Sequence, residues 1–122
     1  MRISPHATIL VTFACFGAII GTHVGALPVL IKNSGISPST YGLVATIGML
    51  ANISCMMLGG ILSRYTSPRA VLLVCFPLLF ATMTYALLVN SVFSFALSFI
   101  LTALAFGTID LFMNAEASVV EQ

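Results

Sequence analysis

Residues 70–109 read AVLLVCFPLLFATMTYALLVNSVFSFALSFILTALAFGTI, and this stretch contains no Asp, Glu, Lys or Arg. A helix needs about 20 residues to cross a hydrocarbon core about 30 Å thick, so the stretch is long enough for two crossings. Asn90 and Ser91 form a polar pair in its interior, which suits a tight turn outside the membrane. The stretch therefore predicts two consecutive transmembrane helices.

Two further charge-free stretches, residues 3–31 and 33–63, precede it in the chain. Each is long enough for one crossing with a margin for tilt. Ser37-Pro38 and Ser67-Pro68 both place a capping hydroxyl before a proline, which is a typical helix start. The sequence predicts a single all-α integral membrane domain over residues 1–122, with transmembrane helices at about 7–31, 39–63, 69–89 and 92–115.

The composition excludes a water-soluble globule. Hydrophobic residues make up 60% of the chain and charged residues 6%, whereas a soluble domain carries roughly a quarter charged residues. The lipid bilayer is therefore the expected solvent, and a net charge of +1 offers no basic surface for nucleic acid. No catalytic triad, phosphate-binding glycine loop or metal-ligand cluster occurs in the sequence, which predicts a protein that is not an enzyme and holds no cofactor or metal.

The basic residues predict an orientation. Arg2, Arg64 and Arg69 fall on one side of a four-helix arrangement, and Lys32 falls on the other. Basic residues in short loops tend to stay in the cytoplasm, so we expect a multi-pass protein of the cell (inner) membrane with a cytoplasmic N-terminus.

Most of the polar chemistry lies near the end of the fourth helix. At about 100° per residue, Asp110, Asn114 and Glu121 share one narrow face. An aspartate at the centre of a membrane helix costs about 2.5 to 3.5 kcal/mol, so it usually faces a protein interior or a water-filled path. Asp110 and Asn114 are therefore candidates for binding a polar solute and a proton. The alternative is that Asp110 only marks the hydrated end of the helix.

The first helix carries two distinct features. Gly17, Gly21, Gly25 and Pro28 share a face that predicts close packing against another helix. His23 lies on the opposite, mostly apolar face, where it is either a further ligand for substrate or proton or a structural group whose hydrogen bonds are satisfied.

Three segments carry recognisable patterns: residues 59–69, Leu27-Pro28-Val29-Leu30 and Gly107-x-x-Asp110-x-x-x-Asn114. Together they resemble the major facilitator superfamily, and more narrowly its fucose-permease-like sugar transporter branch. Residues 59–69 resemble the family signature between the second and third helices, with Gly59, Arg64 and Arg69 retained and with serine and threonine replacing its aspartate and second glycine. Leu27-Pro28-Val29-Leu30 resembles the leucine-proline element that ends the first helix in that branch. Gly107-x-x-Asp110-x-x-x-Asn114 resembles the branch's fourth-helix motif.

The resemblance implies the first four of twelve helices, which is part of the N-terminal half of such a transporter. It places proton-linked uptake on Asp110, with Asn114 as a polar neighbour, and a cytoplasmic gate on Gly59, Arg64 and Arg69. The carboxylate that fucose permease has in its first helix is missing here, where His23 and Val24 stand, so fucose specificity is not implied.

The predicted function is therefore part of a secondary active transporter of a small polar solute such as a sugar. It would work by alternating access and proton symport, with the remaining helices as its partners, and these four helices alone would be inactive. Two alternatives stay open. One is a complete four-helix exporter of drugs or cations that works as a dimer, and the other is a membrane scaffold that transports nothing.

Overall fold

A computed structural model describes residues 4–120 as four α-helices in an all-α fold: α1 Pro5–Ser34, α2 Pro38–Leu62, α3 Pro68–Leu87 and α4 Val92–Val120. All four are long and apolar enough to cross a membrane, as expected of a multi-pass membrane protein. Arg2 and Glu121, which entered the predictions above, lie outside the described residues.

Serine side chains cap the first three helices. Ser4, Ser37 and Ser67 each accept a hydrogen bond from the backbone N–H three residues later, and each is followed by a proline at the first helical position. The helix starts predicted at Ser37-Pro38 and Ser67-Pro68 are confirmed. The hydroxyl satisfies an N–H that has no partner within the helix, and proline has no N–H to satisfy.

Two helices extend beyond their predicted spans. α1 continues through Lys32 and Asn33 and ends at Ser34. Gly35 caps it, with a φ of 65° in the left-handed conformation that glycine adopts at helix ends. α4 continues past Ala115 to Val120. A charged residue marks where a helix leaves the lipid, but it does not end the helix. α4 continues because Glu116 and Ala117 are good helix formers. The helices are therefore longer than their apolar segments.

α4 is the central helix of the fold. It packs against each of the other three, whereas α1 makes a smaller contact with α3 and scarcely touches α2. Four of the most deeply buried side chains in the described chain, Phe95, Thr102, Ile109 and Phe112, belong to α4. The other three helices are arranged around it.

Two apolar clusters hold the helices together. The first joins residues of all four helices near the α1–α2 turn and includes Leu30, Ile36, Val44 and Phe95. The second consists of residues of α1, α3 and α4 and is built around Phe16, Leu79, Ala105, Ile109 and Met113. α2 is thus joined to α1 at one end of the bundle and stands apart from it at the other.

Candidate functional site

The polar pair of α4 is closely connected. The Asn114 side-chain amide donates to the Asp110 backbone carbonyl over 2.8 Å and to the Asp110 carboxylate over 3.2 Å. Asp110 is half-buried and Asn114 is exposed. One helical turn separates them, so the spacing that places them on one face also brings their side chains into contact. The structure therefore contains the predicted pair, without Glu121, which it does not describe.

Asp110 lies between the contact surfaces of two neighbouring helices. On one side, Phe106 faces α1, where the His23 ring lies 6.1 Å from the Phe106 ring, centroid to centroid. On the other side, Gly107 faces α2 and adjoins Asn52. At about 100° per residue, Asp110 projects between Phe106 and Gly107. The Asp110 side chain therefore projects from α4 between its contacts with α1 and with α2, and we call the region between these two helices the α1–α2 groove.

The α1–α2 groove is closed at one end. Leu30 of α1, Val44 of α2 and Phe95 of α4 meet in the first apolar cluster, and the short turn after Gly35 holds α1 and α2 together there. Toward the opposite end, α1 packs with α3 and α4 in a cluster that contains no residue of α2. The groove therefore opens toward the side on which α1 begins and α2 ends.

Aromatic rings fill the closed end of the groove. His23 packs edge-on against Phe106 and tilted against Phe99, and Tyr41 of α2 packs edge-on against Phe99 at 6.2 Å. Phe99 in turn stacks with Phe95 at 5.9 Å. His23 is half-buried in this aromatic cluster. The structure thus places His23 at the α1–α4 interface, one turn or more along α4 from Asp110.

α2 contributes a polar residue that the sequence analysis did not assign to the site. The Asn52 side-chain amide donates to the backbone carbonyl of Ala103 over 3.1 Å, and Asn52 is half-buried. Ala103 and Asp110 lie on the same face of α4, two turns apart. The signal was present in the sequence, because Gly48, Asn52, Cys55 and Gly59 recur at helical spacing and all face α4.

The residues of the predicted gate occupy two places, one on α2 and the other around the start of α3. Gly59 is buried against α4, and a Cβ atom there would lie 2.5 Å from the Leu111 side chain. Arg64 is exposed in the turn after α2, and Arg69 is exposed in the first turn of α3. Gly59 therefore permits close approach of α2 to α4, and the two arginines lie at the open side of the groove.

The glycine face of α1 points away from the other helices. A Cβ atom at Gly17, Gly21 or Gly25 would meet no atom within 4 Å, and Pro28 is exposed. None of α2, α3 and α4 packs on this face in the part of the chain that the structure describes. The close packing predicted for the glycine face of α1 therefore stays a prediction, and its partner would be a helix other than α2, α3 and α4.

Comparisons of the chain with models of protein families, with curated proteins and with solved structures found no match.

Proposed function

We propose that these four helices form part of a secondary active transporter that moves a small polar solute across a membrane by alternating access, coupled to protons through Asp110. The observation that carries the proposal is the Asp110–Asn114 pair in the α1–α2 groove. A carboxylate in a membrane helix is expensive unless it faces protein or water, and the groove provides such a place.

The pair has the chemistry that such a role requires. Burial of a carboxyl group favours its neutral form and contact with water favours its charged form, so a group whose access alternates can load and release a proton. The Asn114 amide is already bonded to Asp110 in this state. The Asn114 amide provides donors and an acceptor, and a solute hydroxyl can bond to them in place of Asp110.

The order of the elements supports a relationship to the major facilitator superfamily. The glycine of the signature-like segment packs α2 against α4, and the segment's two arginines follow in the turn and at the start of α3. With the orientation that basic residues favour, these arginines and the open end of the groove lie on the cytoplasmic side of the inner membrane.

The proposal also assigns a place to further helices. Gly17, Gly21 and Gly25 are exposed, and none of the helices within residues 4–120 lies across the opening of the α1–α2 groove. In transporters built from repeats, the solute site lies where such repeats meet. We therefore expect the remaining helices to cover the groove, and we expect the 122-residue chain by itself not to transport.

The proposal predicts that an Asp110→Asn variant of the complete transporter loses solute-driven proton movement. The measurement is the pH change outside proteoliposomes on addition of each member of a panel of neutral hexoses and polyols, with solute uptake followed in parallel. The matched control is Asp110→Glu, which keeps a carboxyl group and should retain part of the coupling. Proton movement in Asp110→Asn equal to that of the native protein would reject the assignment.

A further inference from the structure

A cleft on the other side of α1 from the α1–α2 groove, about a quarter turn round α4 from Asp110, has features of a second binding site. It lies between α1, α3 and α4 where α1 and α3 begin, and it encloses about 360 Å³. Its lining includes Thr8 and Phe13 of α1 and Met113 of α4. Because it opens at the ends of the membrane helices, the cleft lies at the level where lipid headgroups meet the hydrocarbon core.

The cleft contains one charge of each sign. Arg69 from the first turn of α3 and Glu116 from the last turns of α4 both line it, and Glu116 is half-buried. A guanidinium group binds phosphate oxygens through two parallel hydrogen bonds, and a carboxylate accepts hydrogen bonds from an ammonium group. The pair therefore complements a ligand that carries a phosphate and a primary amine.

A shallow, open apolar depression continues from the cleft toward the middle of the membrane. This depression, of about 530 Å³, shares Thr12, Arg69 and Leu72 with the cleft and continues along Phe76 and Pro77 of α3. From Arg69 to Pro77 the helix rises about 12 Å at 1.5 Å per residue. A ligand that occupies both the cleft and the depression needs a polar head and an apolar chain.

We propose that this cleft binds a membrane phospholipid with an ethanolamine headgroup. Arg69 holds the phosphate, Glu116 holds the primary ammonium group, and an acyl chain lies along Leu72 and Phe76. A glycerol headgroup offers Glu116 only neutral hydroxyl groups in place of an ammonium group, and a choline headgroup has no N–H to donate. A free phosphate compound would leave the apolar depression uncovered.

The test is native mass spectrometry of the purified 122-residue chain, released from detergent in the presence of one lipid at a time. Phosphatidylethanolamine, phosphatidylcholine and phosphatidylglycerol with identical acyl chains are compared, together with soluble glycerophosphoethanolamine. We expect phosphatidylethanolamine to bind about tenfold more tightly than the other two lipids, as the loss of one charge-assisted hydrogen bond implies. Equal retention of the three lipids, or equal binding of the soluble headgroup, would overturn the proposal.

Two variants separate the two halves of the headgroup site. Glu116→Gln should abolish the preference for ethanolamine over choline while phospholipid is still retained, and Arg69→Gln should weaken all three lipids. Lys32→Gln is the control for Arg69→Gln, because it also removes one positive charge but does so at the other end of α1. It should change neither the affinity for the lipids nor the preference for ethanolamine. A preference for ethanolamine that survives Glu116→Gln, or a dimer free of lipid with the cleft covered by a second copy, would contradict the assignment.

Discussion

Asn52 occupies the space that Gly107 leaves open on α4. A Cβ atom at position 107 would lie 2.7 Å from the Asn52 backbone carbonyl oxygen and 3.1 Å from its side-chain amide. The same amide donates to Ala103 one turn away. In lipid, helices associate through close packing and hydrogen bonds rather than through a hydrophobic drive, so one small residue and one amide fix how α2 sits beside the polar pair.

We predict that Gly107→Ala destabilises the bundle by about 1–3 kcal/mol, because the contact it creates is with backbone that cannot rotate away. The matched control is Gly21→Ala, where a Cβ atom meets nothing within 4 Å. That change should be neutral or stabilise the helix by up to about 1 kcal/mol. The measurement is the free energy of unfolding in mixed micelles, and equal effects of the two substitutions would contradict the packing described here.

At the scale of the helices, sequence and structure agree best on where each helix starts. Serine followed by proline marks the beginnings of α2 and α3, because those two residues solve a local hydrogen-bonding problem that needs no partner helix. The turn at Asn90 and Ser91 was predictable for a different local reason, because a polar pair there interrupts a long apolar stretch. The end of α4 was not, since Glu116 and Ala117 continue a helix readily in lipid or in water.

The pairing of the helices was much harder to predict. The apolar residues of a membrane helix surround it, so periodicity does not distinguish the face that meets lipid from the face that meets protein. The face of α1 with three glycines is exposed, while single glycines at positions 48, 59 and 107 make the contacts. The Asp110–Asn114 pair was predictable because it lies within one helix, whereas the approach of Asn52 depends on a second helix.

The contact between α3 and α4 includes a buried hydrogen bond between helices. The Thr102 hydroxyl donates to the Thr82 hydroxyl over 3.2 Å, and both residues are buried. We predict that Thr82→Val weakens the bundle by about 0.6 kcal/mol, the average for such bonds in membranes. Thr84→Val is the matched control, because that exposed hydroxyl donates only within its own helix. Unfolding of the two variants at the same denaturant concentration would show that the bond contributes nothing.

Over the whole molecule, α1 lies between two distinct regions of the α4 surface. The α1–α2 groove with Asp110 lies on one side of α1, and the cleft with Arg69 and Glu116 lies on the other. Both open toward the side on which α1 begins and α4 ends. A displacement of α4 would therefore change both regions together, which gives a lipid in the cleft a physical route to the polar pair.

The most direct test of this organisation is the access of water to position 110 from one side of the membrane. The starting protein lacks its native cysteines, Cys15, Cys55 and Cys75. Three variants each carry one new cysteine: Asp110→Cys, Tyr65→Cys in the α2–α3 turn and Asn90→Cys in the α3–α4 turn. The 122-residue chain is inserted into oriented vesicles and treated with a thiol reagent that does not cross the membrane. Ile109→Cys, at a fully buried neighbouring position, serves as the control for access.

The α1–α2 groove predicts that the cysteine at 110 reacts from the same side as the cysteine at 65, and that the cysteine at 109 does not react. Two results would contradict the open α1–α2 groove, and with it the proposed role of Asp110. One is reaction of the cysteine at 110 from the side that labels position 90, and the other is no more reaction at 110 than at 109.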